Sequence, residues 1–279
     1  GGKGMQPVDL EAEAADIKED MRETILNPIY LAFFFDAVGG GIVLPSLPFY
    51  ILKKGAGAQQ LTAGISIAYA AQTLGCFIMG NVSDKYGRRR VLLACMVGST
   101  LSHFLVSMAG SLKQIITARV IGGLMGGMIP VVQAAIADLY DTEHRPKYYG
   151  RIQALVGAGF VLGPCLSLLL KYTIAPPDEW YFRMAAMFPG LAFLLSYPRI
   201  KETRSFAQQQ LDVIAPGVVD KKPLKVANPV TILSFLIFQG FCLMYAFSTE
   251  AVYPVFIKEN FGFDATVLNA IFALNGITV

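Results

Sequence analysis

Long apolar blocks separated by short polar connectors constrain this chain more than any other feature. Each block is about as long as the roughly 20-residue helix that crosses a hydrocarbon core of about 30 Å. Charged residues make up only 15% of the chain, which excludes a soluble enzyme of this size. We therefore predict an all-α, multi-pass membrane protein. Its predicted spans are residues 27–52, 61–82, 91–110, 112–137, 150–171, 181–198 and 229–257, with another beginning near 264.

Lys and Arg residues are distributed unevenly between the connectors. Sixteen lie in the N-terminal tail and in connectors 83–90, 138–151 and 199–228, whereas the alternate connectors hold six. Because cytoplasmic loops of membrane proteins are enriched in Lys and Arg, we predict that the N-terminus and the first set are cytoplasmic. The distribution of Lys and Arg does not distinguish a protein of the plasma membrane from one of an internal membrane.

One long polar connector, residues 199–228, divides the chain. The pair Asn27-Pro28 opens the first span and Asn228-Pro229 opens the seventh, as expected for transporters that are built from repeated halves. The predicted organisation is a cytoplasmic tail (1–26), a complete six-helix bundle (27–198), a cytoplasmic linker (199–228) and the start of a second bundle (229–279).

The connector between the second and third spans carries the most specific pattern. It reads Gly80-Asn-Val-Ser-Asp84-Lys-Tyr-Gly87-Arg88-Arg89-Arg90. Any short cytoplasmic loop is expected to be basic, but that does not account for two glycines and an aspartate at these intervals. Gly87 supplies the backbone freedom for a sharp reversal.

This segment resembles the signature loop of the major facilitator superfamily. The resemblance implies the major facilitator fold and a charge network that latches the inside-closed conformation against the end of the fourth span. The matching residues here are Gly80, Asp84, Gly87, Arg88, Asp138 and Arg145.

Arg119 lies about seven residues, or roughly 10 Å, inside the outer end of the fourth span. An arginine inside a membrane must face protein or water and find a partner. Its segment, Arg119-Val-Ile-Gly122-Gly123, resembles the superfamily's Arg-x-x-x-Gly motif, which is associated with proton movement. The alternative is an arginine that extends to the outer surface.

Asp36 lies about ten residues, or roughly 15 Å, into the first span. A carboxylate near the midplane marks a functional site by default. Desolvation disfavours its charged form while a neighbouring guanidinium favours it, so an Asp36 that meets Arg119 could load and release a proton. A permanent ion pair between these two residues is the alternative.

Two further segments resemble the tetracycline/proton antiporters of this superfamily. Asp36 to Pro48 matches their first span, and the fifth span carries Gly150, Gly159, Gly163 and Pro164 in the spacing of the antiporter signature. The resemblance implies tight helix packing and export. Gln72 also matches a Gln of those antiporters. From their polarity within the second span, Tyr69 and Gln72 are expected to line the substrate cavity, and so is Gln239 near mid-depth in the seventh. Glu250 is expected at the outer rim of that cavity, or as a second proton site.

One position departs from the antiporter pattern. Those proteins carry an acidic residue midway along the third span, where this chain has Ser102 and His103. His103 could titrate in its place or form a structural hydrogen bond. Drug identity therefore does not follow from the fold.

The favoured hypothesis is proton-coupled export of a small organic or drug-like molecule by alternating access. Expected partners are that substrate, protons and the lipid bilayer. The full-length protein is expected to be a monomer. Nucleic acid, metal and cofactors are not expected. One alternative is a symporter or facilitator for sugars or organic anions on the same fold, and another is a membrane scaffold or receptor that does not transport.

Overall fold

The computed structural model describes residues 7–203, 230, 234, 253–262 and 264–277. The regular elements within these ranges are α-helices. They are α1 (Pro7–Lys53), α2 (Ala58–Tyr86), α3 (Arg88–Ser107), α4 (Leu112–Leu124), α5 (Met128–Leu139), α6 (Arg145–Thr173), α7 (Glu179–Ser196), α8 (Tyr253–Phe261) and α9 (Ala265–Ile277).

Helix α1 runs without a break through the predicted boundary between residues 26 and 27. Its 47 residues make it about 70 Å long, so it extends beyond a hydrocarbon core. Its first part is tied to the start of α6, because Arg151 Nη1 donates to Glu23 Oε1 at 2.9 Å and the Tyr148 hydroxyl donates to Glu19. Residues 7–26 of the predicted polar tail are therefore helical, and Glu19 and Glu23 hold the last part of this segment against the start of α6.

Two connectors differ from their predicted form. The predicted connector 83–90 is a single residue, Gly87, with φ of +95° between α2 and α3. The predicted span 112–137 is broken between α4 and α5, where the Gly126 N–H donates to the Gly123 carbonyl at 2.8 Å. A side chain at Gly127 would overlap Met79 of α2, so close packing coincides with this break.

Helix packing generates two large apolar cores in the described part of the chain, and a small third one around Phe49, Ile257 and Leu268. Helix α1 packs against α6 and α7, α3 against α4 and α7, α2 against α4, and α9 against α6. One core uses α1 residues 25–33 together with α5 and the first half of α3. The other uses α1 residues 38–51 with α7 and the first half of α4. The two cores leave a layer between them at the middle of the bundle.

Five stretches within the described residues are long and apolar enough to span a membrane. They are Glu19–Lys53, Ala58–Tyr86, Arg88–Ser107, Leu112–Leu139 and Arg145–Thr173. Large apolar side chains such as Phe77 and Leu169 point away from the bundle, as expected for a surface that faces lipid. Helix α7 is shorter, but it also exposes Met187 and Leu194.

Candidate functional site

A polar layer separates the two apolar cores. Its members are Asp36 of α1, Ser99, Ser102 and His103 of α3, and Arg119 of α4. Asp36 and the three α3 residues lie where one core ends and the other begins along their helices, and Arg119 directly follows Ala118, the last α4 residue of the second core. Polar side chains at this depth are unfavourable in a membrane protein unless they serve binding or transport.

Asp36 lies at the midpoint of the first candidate span, seventeen residues from Glu19 and seventeen from Lys53. Its carboxylate faces Ser99 of α3. The Oδ1 atom is buried and has no hydrogen-bond partner among the residues that the structure describes. The predicted midplane carboxylate is therefore present in a setting that lacks a fixed counter-charge.

Arg119 does not form the predicted ion pair with Asp36. Within the described ranges its guanidinium makes no ion pair and no hydrogen bond, and its Nε is buried. It lies within electrostatic range of His103, whose Nδ1 is also buried without a partner. That Asp36 and Arg119 couple proton movement stays a prediction. In this structure the two residues do not form an ion pair with each other.

Arg119 instead lines a crevice between α1, α2 and α4. Tyr69 and Gln72 of α2 share this crevice, with Leu47 and Ile51 of α1 among the apolar residues of its wall. The sequence prediction assigned Tyr69 and Gln72 to the substrate cavity. The structure places both beside Arg119 in this crevice, and their role in substrate binding stays a prediction. Gln239 and Glu250 lie outside the described residues.

Glycines of α6 bring that helix into contact with the backbone of α1. A Cβ atom at Gly159 would lie 2.6 Å from the Cβ of Ala37, next to Asp36. A Cβ at Gly163 would overlap the backbone of Gly41. Gly159 and Gly163 therefore have the close-packing geometry predicted for them, followed by a buried Pro164.

Gly150 does not take part in this packing. Among the described residues, a Cβ atom there would have no heavy atom within 4 Å. The described residues therefore give Gly150 no close contact, and its membership of the close-packed set stays a prediction. Gly80 is similarly open, although its carbonyl accepts a hydrogen bond from Ser83 at 2.7 Å.

Arg88 is the centre of an ion-pair cluster where α2 meets α3. Its Nη1 donates to Asp84 Oδ1 at 2.6 Å, and its Nε donates to Asp138 Oδ2 of α5 at 3.0 Å. The Arg88 side chain is 9% exposed, whereas Asp138 is 18% and Asp84 is 66% exposed. Arg88 thus forms the predicted contact between this connector and the end of the fourth span. We call Asp84, Arg88 and Asp138 the Arg88 cluster.

Glu202, which follows α7, is a member of this region that the sequence did not reveal. Its carboxylate accepts from the backbone N–H groups of Arg88 at 2.8 Å and Arg89 at 3.2 Å. It therefore caps the N-terminus of α3, where backbone donors lack partners and the helix dipole favours a negative charge. Nearby, the Thr203 hydroxyl donates to Asp138 at 3.1 Å.

Arg145 differs from its predicted place in the charge network. Its Nε donates to the Tyr140 carbonyl at 2.9 Å and its Nη2 to the Ala137 carbonyl at 3.1 Å. Arg145 thus satisfies the last carbonyls of α5 rather than pairing with Asp84 or Asp138.

We expect Glu202→Ala to lower the free energy of unfolding by about 1 kcal/mol, since two backbone donors lose a charged cap. Lys201→Ala, which changes an exposed neighbour, should leave stability within about 0.5 kcal/mol of the parent. Thermal denaturation in detergent measures both. Equal melting temperatures for the two variants would contradict a capping role.

A chamber of about 350 Å³ lies at the opposite end of the bundle, between α1, α6, α7, α8 and α9. Its lining includes Lys53, Lys171, Lys258, Asp178 and Asp264, and we call it the lysine chamber. Lys53 pairs with Asp178 at 2.6 Å, and Lys171 pairs with Asp264 at 2.9 Å. These contacts join α1 to the start of α7 and α6 to the segment before α9.

Asp264 keeps its negative charge throughout the physiological pH range. Burial opposes that charge, but hydrogen bonds from Lys171 and Thr266 outweigh it and hold the pKa of Asp264 at about 2. The Lys171–Asp264 contact is therefore insensitive to pH above about 3. Among all the residues that the structure describes, no group of three or more His, Cys, Asp or Glu residues could hold a metal ion.

Comparison with known proteins shows the family to which this chain belongs. The class E tetracycline resistance protein of Escherichia coli is 28% identical over 264 residues, which cover 92% of this chain and 64% of that protein. The quinolone resistance protein NorA of Staphylococcus aureus is 24% identical over 241 residues, covering 85% and 59%. The chain thus spans less than two thirds of the length of these relatives.

Solved structures share the fold at low sequence identity. The human organic anion transporter MFSD10 aligns with a TM-score of 0.66 at 21% identity, covering 92% of this chain and 70% of that one. A D-xylose–proton symporter aligns with a TM-score of 0.60 at 17% identity, covering 92% and 66%. The model of the Major Facilitator Superfamily matches residues 29–279. The all-α prediction is confirmed, and the chain belongs to the Major Facilitator Superfamily.

Proposed function

We propose that the complete protein is a secondary transporter that exports a small organic molecule in exchange for protons. The observation that carries this proposal is Asp36: a carboxylate at the midpoint of a membrane span, with a buried oxygen that has no partner among the described residues. Such a group is unfavourable as a permanent anion, and binding a proton removes the unfavourable charge.

The surroundings of Asp36 suit a group that changes its charge during a transport cycle. On α3 it faces Ser99, and Cys95 lies within electrostatic range. On the α6 side, Gly159 packs against the neighbouring Ala37, so a change at Asp36 would reach the α1–α6 contact directly. Names of the relatives, which include tetracycline and quinolone resistance proteins, support a small organic substrate.

In this proposal, residues 27–198 form the first half of the transporter and residues 229–279 begin the second. The substrate binds near the midplane between the halves, and the cavity opens alternately to each side. The Arg88 cluster and the N-terminus face the cytoplasm, which agrees with the distribution of Lys and Arg.

Proton coupling can be tested with the full-length protein in liposomes that contain a pH-sensitive dye. With tetracycline or a fluoroquinolone as the probe, we expect solute movement to be accompanied by proton movement in the opposite direction. Asp36→Asn should abolish this coupling. Asp141→Asn, which changes an exposed aspartate outside the polar layer, is the matched control.

Two results would contradict the proposal. One is solute transport by the parent protein that does not depend on the pH gradient. The other is full coupling in the Asp36→Asn variant. Proton movement in the same direction as the solute would instead indicate the symporter alternative.

A further inference from the structure

We propose that the substrate carries an anionic group, a carboxylate, and that Arg119 binds this group in the crevice between α1, α2 and α4. This inference rests on the proposed transport function and specifies its substrate class. It follows from the state of the Arg119 guanidinium, from the apolar lining of the crevice and from the charge of the lysine chamber.

Arg119 has hydrogen-bonding and charge capacity that the protein leaves unused. In the described part of the chain its guanidinium makes no ion pair and no hydrogen bond, although Nε is buried. A cation without a counter-charge in such surroundings is unfavourable. A ligand that supplies the negative charge removes this cost, which makes its binding free energy more favourable. The planar guanidinium fork matches a carboxylate, because two parallel N–H groups can donate to its two oxygens.

Among the described residues, no acidic group takes the place of that ligand. Asp36, the acidic residue of the polar layer, faces Ser99 on α3 instead of Arg119. His103, which lies within electrostatic range of Arg119, cannot supply a negative charge. Gln72 lies on the crevice wall and offers an amide N–H to a bound oxygen.

The crevice is narrow in this conformation. It has about 10 Å³ of open space, roughly the volume that one water needs. A carboxylate group has three heavy atoms and needs more room, so binding requires the crevice to widen around Arg119. The walls next to Arg119 are apolar, with Leu47, Ile65 and Ile116, which suits an organic acid better than a hydrated inorganic anion.

The lysine chamber has the same sign of charge as the crevice. Its two aspartates each pair with a lysine, and this leaves Lys258 without an ion pair among the described residues. The chamber therefore has a surplus of one positive charge, from three lysines and two aspartates. Such a surplus raises the local concentration of anions and disfavours cations.

Equilibrium binding to the full-length protein in lipid nanodiscs tests this inference without any pH gradient. The probes are 2-naphthoate, the neutral 2-naphthalenemethanol and the cationic 2-naphthylmethylamine, which share one ring system and differ in charge. We expect 2-naphthoate to bind at least tenfold more tightly than the other two. Its affinity should fall roughly 10- to 100-fold in Arg119→Gln, since hydrogen bonds to a charged group are lost.

Matched variants separate binding from folding. Lys113→Gln removes an exposed positive charge from the same helix and should leave the affinity for 2-naphthoate unchanged. Arg119→Lys keeps the charge without the planar fork and should bind with intermediate affinity. The melting temperature of ligand-free Arg119→Gln should be equal to or above that of the parent, because Arg119 has no ion pair to lose.

The inference is overturned if 2-naphthoate does not bind at millimolar concentration, if the three probes bind equally, or if Arg119→Gln binds 2-naphthoate like the parent. Lower stability of ligand-free Arg119→Gln would also count against it, because that result indicates a structural role. These results are independent of proton coupling. A protein that binds 2-naphthoate through Arg119 but shows no proton movement would contradict only the proposed antiport.

Discussion

Replacing Arg88 with methionine should lower the free energy of unfolding by about 3 kcal/mol. The reason is that Asp138, which is only 18% exposed, would keep its charge and lose its partner at 3.0 Å. Removing one member of a buried ion pair typically costs about 3–5 kcal/mol. We expect the lower end of that range because Asp84, the other partner, is 66% exposed and well solvated.

Arg90→Met is the matched control for this experiment. Arg90 belongs to the same basic run, but its side chain is exposed, so the substitution should change stability by less than about 0.5 kcal/mol. Chemical denaturation in detergent measures both variants. Equal losses would show that the general positive charge of this connector, and not the Arg88 cluster, stabilises the fold.

A double-mutant cycle assigns the loss to the Arg88–Asp138 pair. Asp138→Leu should also destabilise the protein, since Arg88 then loses a partner. The double variant Arg88→Met/Asp138→Leu should be more stable than the sum of the two losses implies, because neither charge remains buried alone. Additive losses would mean that the two residues act independently, despite the 3.0 Å contact.

The sequence predicted the fold class and the Asp84–Arg88 part of the Arg88 cluster because both depend on local pattern, whereas Asp138, 50 residues away, was expected only from the family resemblance. Span length follows from bilayer thickness, and Gly80, Asp84, Gly87 and Arg88 fall within nine residues. Glu202 was missed because it is 114 residues from Arg88 in a polar connector that has no periodic pattern. Its contact with α3 depends on how the end of α7 packs, which a single sequence does not encode locally.

The predicted Asp36–Arg119 pair does not form, because the depth of two charges in the membrane does not determine whether they meet. The rise per residue estimates how deep each charge lies, and both residues do belong to the polar layer. Whether two charges meet depends on which helices are neighbours and how each is rotated. Helix α1 packs mainly against α6 and α7, whereas α4 packs against α2 and α3. Asp36 and Arg119 therefore occupy different surfaces at similar depth.

The glycines of α6 show the same dependence on helix rotation. Gly150, Gly159 and Gly163 fit one sequence signature, but only the latter two face α1. The sequence alone gave no reason to separate them, because their spacing is compatible with one motif. Rotation of α6 leaves Gly150 without a close contact among the described residues, so its substitution is expected to have a different outcome.

Substitution of Gly163 by alanine should lower the free energy of unfolding by about 1–3 kcal/mol, the usual cost of inserting atoms into a well-packed interface. A Cβ atom at this position would lie 2.6 Å from the Ile42 nitrogen and 2.7 Å from the Gly41 Cα. These are backbone atoms of α1, which cannot rotate aside as a side chain would. The two helices must therefore separate, and the contacts around them weaken.

Gly150→Ala is the control on the same helix, because its Cβ would have no heavy atom within 4 Å. Glycine in a helix costs roughly 0.5–1 kcal/mol relative to alanine, so this variant should be as stable as the parent or slightly more so. The opposite signs expected for Gly163→Ala and Gly150→Ala distinguish close packing from helix propensity, since propensity alone would stabilise both. If both variants melt at or above the melting temperature of the parent, close packing at Gly163 does not stabilise the α1–α6 interface.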